Sequence, residues 1–113
     1  MTASDRLIQL LTTLMSRTGK GISKWTTGSR DDTYIWSGSS ASVALLTRDN
    51  DSAPPYTVRL IDSEGRVVEQ EMFEFDDFHF DTVQNLYGLA RADALDINAA
   101  IDSLLSDLEE GGF

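Results

Sequence analysis

With 113 residues, 41% of them hydrophobic and 25% charged, the chain has the size and composition of one globular domain over residues 1–113. It has no cysteine with which to form a disulfide or a thiolate metal site. Nine Lys and Arg against nineteen Asp and Glu give a formal charge of −10, which disfavours both nucleic acid and an anionic membrane surface as partners. No charged-then-apolar leader and no apolar run of membrane-spanning length is present, so a cytoplasmic location is expected.

The elements read in chain order as follows. Thr2 and Asp5 have the spacing of a capping box, and Leu7, Leu10, Leu11 and Leu14 recur at helical spacing. They predict an amphipathic helix over residues 4–17, stopped by Gly19 and Gly21. Lys20 to Arg30 is polar except for Ile22 and Trp25 and reads as a loop or a short strand. Trp25 sits among Lys20, Lys24 and Arg30, a pattern that can stack a nucleobase. In so acidic a chain, closing the core is the better reading. Residues 33–37 and 42–47 are β-branched or aromatic, and Gly38-Ser39-Ser40 between them is a turn or a bulge, leaving two strands or one bent strand. Arg48 to Pro55 is a loop. Tyr56, Val58 and Leu60 alternate with polar neighbours in a half-buried strand, Asp62-Ser63-Glu64-Gly65 turns the chain, and Val67 to Phe75 is the returning strand.

Two helices follow. Asp81 with Gln84 reads as a cap before the stripe Val83, Leu86, Tyr87 and Ala90. Asp96 caps a second stripe of Ile97, Ile101, Leu104, Leu105 and Leu108, and residues 109–113 read as a frayed tail. Asp107, Glu109 and Glu110 lie where the helix dipole is negative, and nothing in the sequence explains why acids collect there.

Familiar catalytic patterns are missing. Cysteine nucleophiles are excluded, and His79 is the lone histidine. Gly38-Ser39-Ser40-Ala41-Ser42 lacks the second glycine of a nucleophile elbow, and Thr18-Gly19-Lys20-Gly21 is too short for a phosphate loop. Asp49-Asn50-Asp51 begins like a calcium loop but runs into Pro54-Pro55 without the required glycine and glutamate. If Asp77-Phe78-His79-Phe80-Asp81 were extended, two carboxylates and an imidazole would share one face. The simpler reading sends both phenylalanines to the core, so neither a metal nor a cofactor is expected. Adjacent acids such as Asp31-Asp32 and Asp76-Asp77 arise from composition alone.

The segment Glu69 to Asp81 interleaves acids with four of the five phenylalanines and contains no basic residue. It reads as an acidic-aromatic docking strip, with Glu69, Glu71, Phe73, Glu74, Phe75, Asp76 and Asp77 facing a basic protein partner. The same residues also suit an edge strand with core phenylalanines and solvated acids. The charge is polarised, residues 1–66 carrying a net +1 and residues 67–113 a net −11, so a basic and an acidic end are available to meet within one chain or between two.

The order of a helix, Trp25-Thr26-Thr27, Tyr34, the strands at Ser42 to Leu46 and Tyr56 to Leu60, and the turn Asp62 to Val68 resembles a group of small uncharacterised bacterial proteins common in actinobacteria. The likeness continues through Leu86-Tyr87-Gly88-Leu89-Ala90-Arg91 and from Leu95-Asp96-Ile97 to Leu105. It rests on packing and turn residues, implies an architecture and a bacterial cytosol, and carries no function over.

The expected fold is α+β, with an N-terminal helix, an antiparallel sheet of three or four strands, and a C-terminal helical pair packed on one sheet face. The opposite face or a sheet edge is then free to pair with a second copy as a homodimer. The expected function is a non-enzymatic, protein-binding module. The alternatives are a nucleic-acid mimic that inhibits a DNA- or RNA-binding protein, an acidic chaperone-like dimer, and a metal-dependent enzyme.

Overall fold

The structure, a computed structural model, describes residues 5–49 and 51–110. The elements run α1 (Asp5–Gly19), β1 (Thr26–Thr27), β2 (Tyr34–Ser37), β3 (Ala41–Thr47), β4 (Tyr56–Asp62), β5 (Val67–Phe73), α2 (Phe80–Ala94) and α3 (Ile97–Glu109). The predicted capping box falls partly on Thr2, outside the described residues.

All five strands form one antiparallel sheet in the order β1-β2-β3-β4-β5. The expected three or four strands become five because β1 is only Thr26 and Thr27, paired with Ile35 and Tyr34; two residues carry no periodicity to read. Gly38 to Ser40 is a turn, closed by the Gly38 amide donating to the Ala41 carbonyl at 2.8 Å, so β2 and β3 are separate strands. Between β4 and β5, Asp62 accepts from the amides of Glu64 and Arg66 at 2.9 and 3.0 Å, while Gly65 takes the left-handed conformation (φ +84°). The Arg66 amide is the main reason that the Asp62 carboxyl lies below the usual carboxylate range. Partial desolvation opposes it, and the Glu64 amide and the Arg66 guanidinium add to it.

The register puts Tyr34, Val43, Leu45, Tyr56, Val58 and Phe73 on one face. They join Leu7, Leu11 and Leu14 of α1 and Phe80, Val83, Leu86, Tyr87 and Ala90 of α2 in a single core. Trp25 closes that core, its indole N–H donating to Thr18 Oγ1 at 2.9 Å and its amide to Asp93 Oδ2 at 2.6 Å. The expectation for α2 therefore holds in its buried stripe but not in its start. His79 is the N-cap, without a side-chain cap bond, and Asp81 lies in the first turn.

The helical pair does not pack on the sheet together. The helices on that face are α1 and α2, and no described side chain of α3 is buried. Geometry explains the correction: five strands about 4.8 Å apart span roughly 20 Å, room for two helices of about 10 Å diameter. Asp96, in the left-handed conformation (φ 52°), makes the elbow after which α3 leaves the core. The molecule is long, 55 × 32 × 25 Å, and its radius of gyration of 15.7 Å exceeds the ~13 Å of a compact chain of this length.

Beneath the sheet end lies a polar network. Asp32 is fully buried and accepts from the Thr47 amide at 2.7 Å, the Thr47 hydroxyl, the Thr33 hydroxyl at 3.0 Å and Arg30 Nη2 at 3.1 Å. Tyr87 donates to the Asp32 carbonyl at 2.6 Å, and its ring stands against those of Tyr56 and Tyr34 at 4.9 and 5.4 Å. Burial is the chief cause that pushes the Tyr87 hydroxyl up to about 12; the Ser52 hydroxyl opposes the shift, and Tyr34, Asp32 and Tyr56 add to it. A tyrosine whose folded value is raised stabilises fully below its unfolded value of 10 and loses that contribution as pH rises toward 12. Alkaline titration followed by phenolate absorbance is expected to show a step well above pH 10 that Tyr87→Phe removes. A titration curve above pH 10 that Tyr87→Phe leaves unchanged would contradict this.

Candidate interaction site

The acidic-aromatic segment is divided by the fold between β5 and the loop that leads to α2. The returning strand ends at Phe73, two residues before its expected end, because the Glu74 amide donates to Asp77 Oδ2 at 2.6 Å and the Asp77 amide returns to the Glu74 carbonyl at 2.9 Å. Glu74, Phe75, Asp76 and Asp77 therefore occupy a tight, self-bonded turn and do not extend the strand.

Strand alternation decides what β5 offers. Glu69, Glu71 and Phe73 share the face that carries the core, opposite Leu60, Val58 and Tyr56. Phe73 is 3% exposed and Glu71 only 7%, so these two of the expected contact residues are withdrawn from a partner's reach. Glu69, Glu74, Phe75, Asp76 and Asp77 remain exposed. The register also shifts between Leu60 and Ile61, leaving Val68 as an extra residue on β5.

The structure adds residues that the strand reading missed. Phe78 was expected to point inward with Phe80, but the segment turns into a helix and only Phe80 is buried; Phe78 is 95% exposed, with its ring edge-on to His79 at 4.9 Å. Phe75 is 77% exposed, and its ring rests on Phe80 at 4.9 Å, which ties it to the core. Met72 projects on the other side of β5 and is half exposed. The alternation Glu71-Met72-Phe73 contains the signal for Met72, whereas no local pattern distinguishes Phe78 from Phe80.

Beyond its pairing with β4, β5 has no strand neighbour among the described residues, so its outer backbone groups form a free edge. A shallow groove along that edge is lined by Gln70, Glu71, Met72, Glu74 and Asp77. The site thus combines an open edge, three exposed apolar side chains and a rim whose charges are all negative.

Other chemistry finds little support. Among the described residues no three His, Asp or Glu side chains are grouped to hold a metal ion. Asp77, His79 and Asp81 do not share a strand face, since they lie in the turn, at the N-cap and in the first turn of α2. The Asp32 carboxylate is fully buried, and its oxygens are bonded to Thr47, Thr33 and Arg30. No described helix is long and apolar enough to cross a membrane. In comparisons with known proteins, the chain matches no family model, no curated protein and no solved structure.

Proposed function

We propose that this chain is a non-enzymatic, protein-binding module that receives a basic, extended segment of a partner protein along β5 and over Phe75 and Phe78. One observation carries the reading: two phenylalanines, 77% and 95% exposed, stand on a loop in which every charged side chain is acidic, beside an open strand edge. Each part supplies a different share of recognition. The free edge offers main-chain hydrogen bonds to an added strand. Exposed rings anchor apolar or guanidinium groups, and Glu69, Glu74, Asp76 and Asp77 pair with lysine or arginine.

The double variant Phe75→Ser, Phe78→Ser tests this. Both side chains project from the fold, so the variant is expected to keep its secondary structure while retaining at least about tenfold less of a stoichiometric partner co-purified from nuclease-treated native lysate. Binding of that partner is also expected to weaken as salt is raised, since it depends on opposite charges at an exposed rim. Equal capture by both proteins, or binding indifferent to salt, would overturn the assignment. A captured partner that itself binds DNA or RNA turns the reading toward a nucleic-acid mimic, with these carboxylates standing where phosphates would.

A further inference from the structure

We infer that α3 is a self-association helix, its apolar stripe pairing antiparallel with the same stripe of a second copy of this chain. Ile97, Ile101, Leu104 and Leu108 follow the alternating four- and three-residue spacing of a two-helix seam. Ile101, Leu104, Leu105 and Leu108 are 49%, 63%, 51% and 61% exposed, a contiguous apolar ridge of the kind that marks an association surface. The chain's own sheet face is already filled by α1 and α2.

Charge and register identify the occupant. Among its residues α3 has Asp102, Asp107 and Glu109 and no basic side chain. In an isolated helix the acids at its end oppose the dipole. Antiparallel pairing reverses their effect, because each acidic C-terminal end then lies beside the positive N-terminal end of the other helix. A two-fold axis between Asp102 and Ser103 matches Ile97 with the partner's Leu108 and Ile101 with the partner's Leu104, so every seam residue meets another. It also leaves Asp107 flanking the seam on the side of the partner's Ala100, and brings Glu109 level with the partner's Asp96 outside the apolar seam. A parallel pair would instead bring both negative ends, and the acids on them, together.

Size sets the strength. A helix of 13 residues is about 20 Å long and covers less than the ~800 Å² per partner of a standard interface. Leu89 of α2 and Leu95 at the elbow are 36% and 43% exposed, and Lys24, paired with Asp93 at 3.5 Å, stands on the groove beside Asp96. A dimer of this kind dissociates at about 1–100 μM.

Sedimentation across a dilution series through that range is the test. Wild type is expected to pass from twice the 12.5 kDa chain mass to a single chain. Leu104→Glu is expected to stay a single chain throughout with an unchanged circular dichroism spectrum. Ala100→Lys, which sets a lysine against the partner's Asp107 twice per dimer, is expected to tighten association about two- to fivefold. A wild type that is a single chain at every concentration, a dimer that survives Leu104→Glu, or an Ala100→Lys variant no tighter than wild type would each overturn the inference.

Discussion

Asp32→Ala is expected to lower the stability of the folded chain by about 3 kcal/mol, measured by urea unfolding. The substitution leaves the Thr47 amide and hydroxyl, the Thr33 hydroxyl and the Arg30 guanidinium without their shared acceptor. Those groups join the loop before β2 to the end of β3, so the loss also frees the chain where Tyr87 donates to the Asp32 carbonyl. The Arg30 side chain is 39% exposed and recovers some hydration, which keeps the cost toward the lower end for a broken buried pair. The pH dependence has a definite sign. Burial raises the Asp32 carboxyl, but the Thr47 hydroxyl and amide, the Thr33 hydroxyl and Arg30 together outweigh it and hold the group below its ordinary 3.8. A carboxyl depressed in the folded state stabilises fully above its unfolded value and loses that contribution as pH falls below it. Wild type is therefore expected to weaken below about pH 4 more steeply than Asp32→Asn. A loss under about 1 kcal/mol for Asp32→Ala would show that the network is incidental to the fold.

Leu86→Ala and Leu104→Ala are expected to differ by nearly the full cost of a core cavity, although both remove a leucine from a helix. Leu86 is fully buried against the sheet, and its truncation is expected to cost about 3 kcal/mol. Leu104 is 63% exposed on α3, so in dilute solution, where any dimer has dissociated, its truncation is expected to change unfolding by no more than about 0.5 kcal/mol. Alanine's higher helix propensity offsets even part of that. Equal destabilisation would mean that α3 folds back onto the core of its own chain.

The sequence made some of this legible, because buried faces impose periodicity. Leu7, Leu10, Leu11 and Leu14, and Val83, Leu86, Tyr87 and Ala90, are visible as helical stripes, and all are buried except Leu10, which is partly buried against the core. The β4–β5 hairpin is visible through Tyr56, Val58 and the Asp62–Gly65 turn. The limits are equally physical. The stripe of α3 looks the same in sequence as that of α2, since periodicity reports an apolar face but not what covers it. Asp32 gives no local signal because its main partner, Thr47, lies fifteen residues away. Acid and aromatic composition marks the candidate segment, yet only the turn at Glu74 decides that Phe75 and Phe78 stay in water while Phe73 and Phe80 enter the core.

The two surfaces have different chemistry and different places in the fold. The β5 edge and its loop present carboxylates around exposed rings, suited to a basic partner, whereas α3 presents an aliphatic ridge with acids only at its margins.

Amide hydrogen exchange on the protein with and without its captured partner is the most direct test of the binding role. New protection is expected over residues 67–79, strongest on the outward amides of β5, with α3 unchanged by the partner. Protection that appears on α1 or α3 while 67–79 exchanges as before would place the interface elsewhere and contradict the assignment.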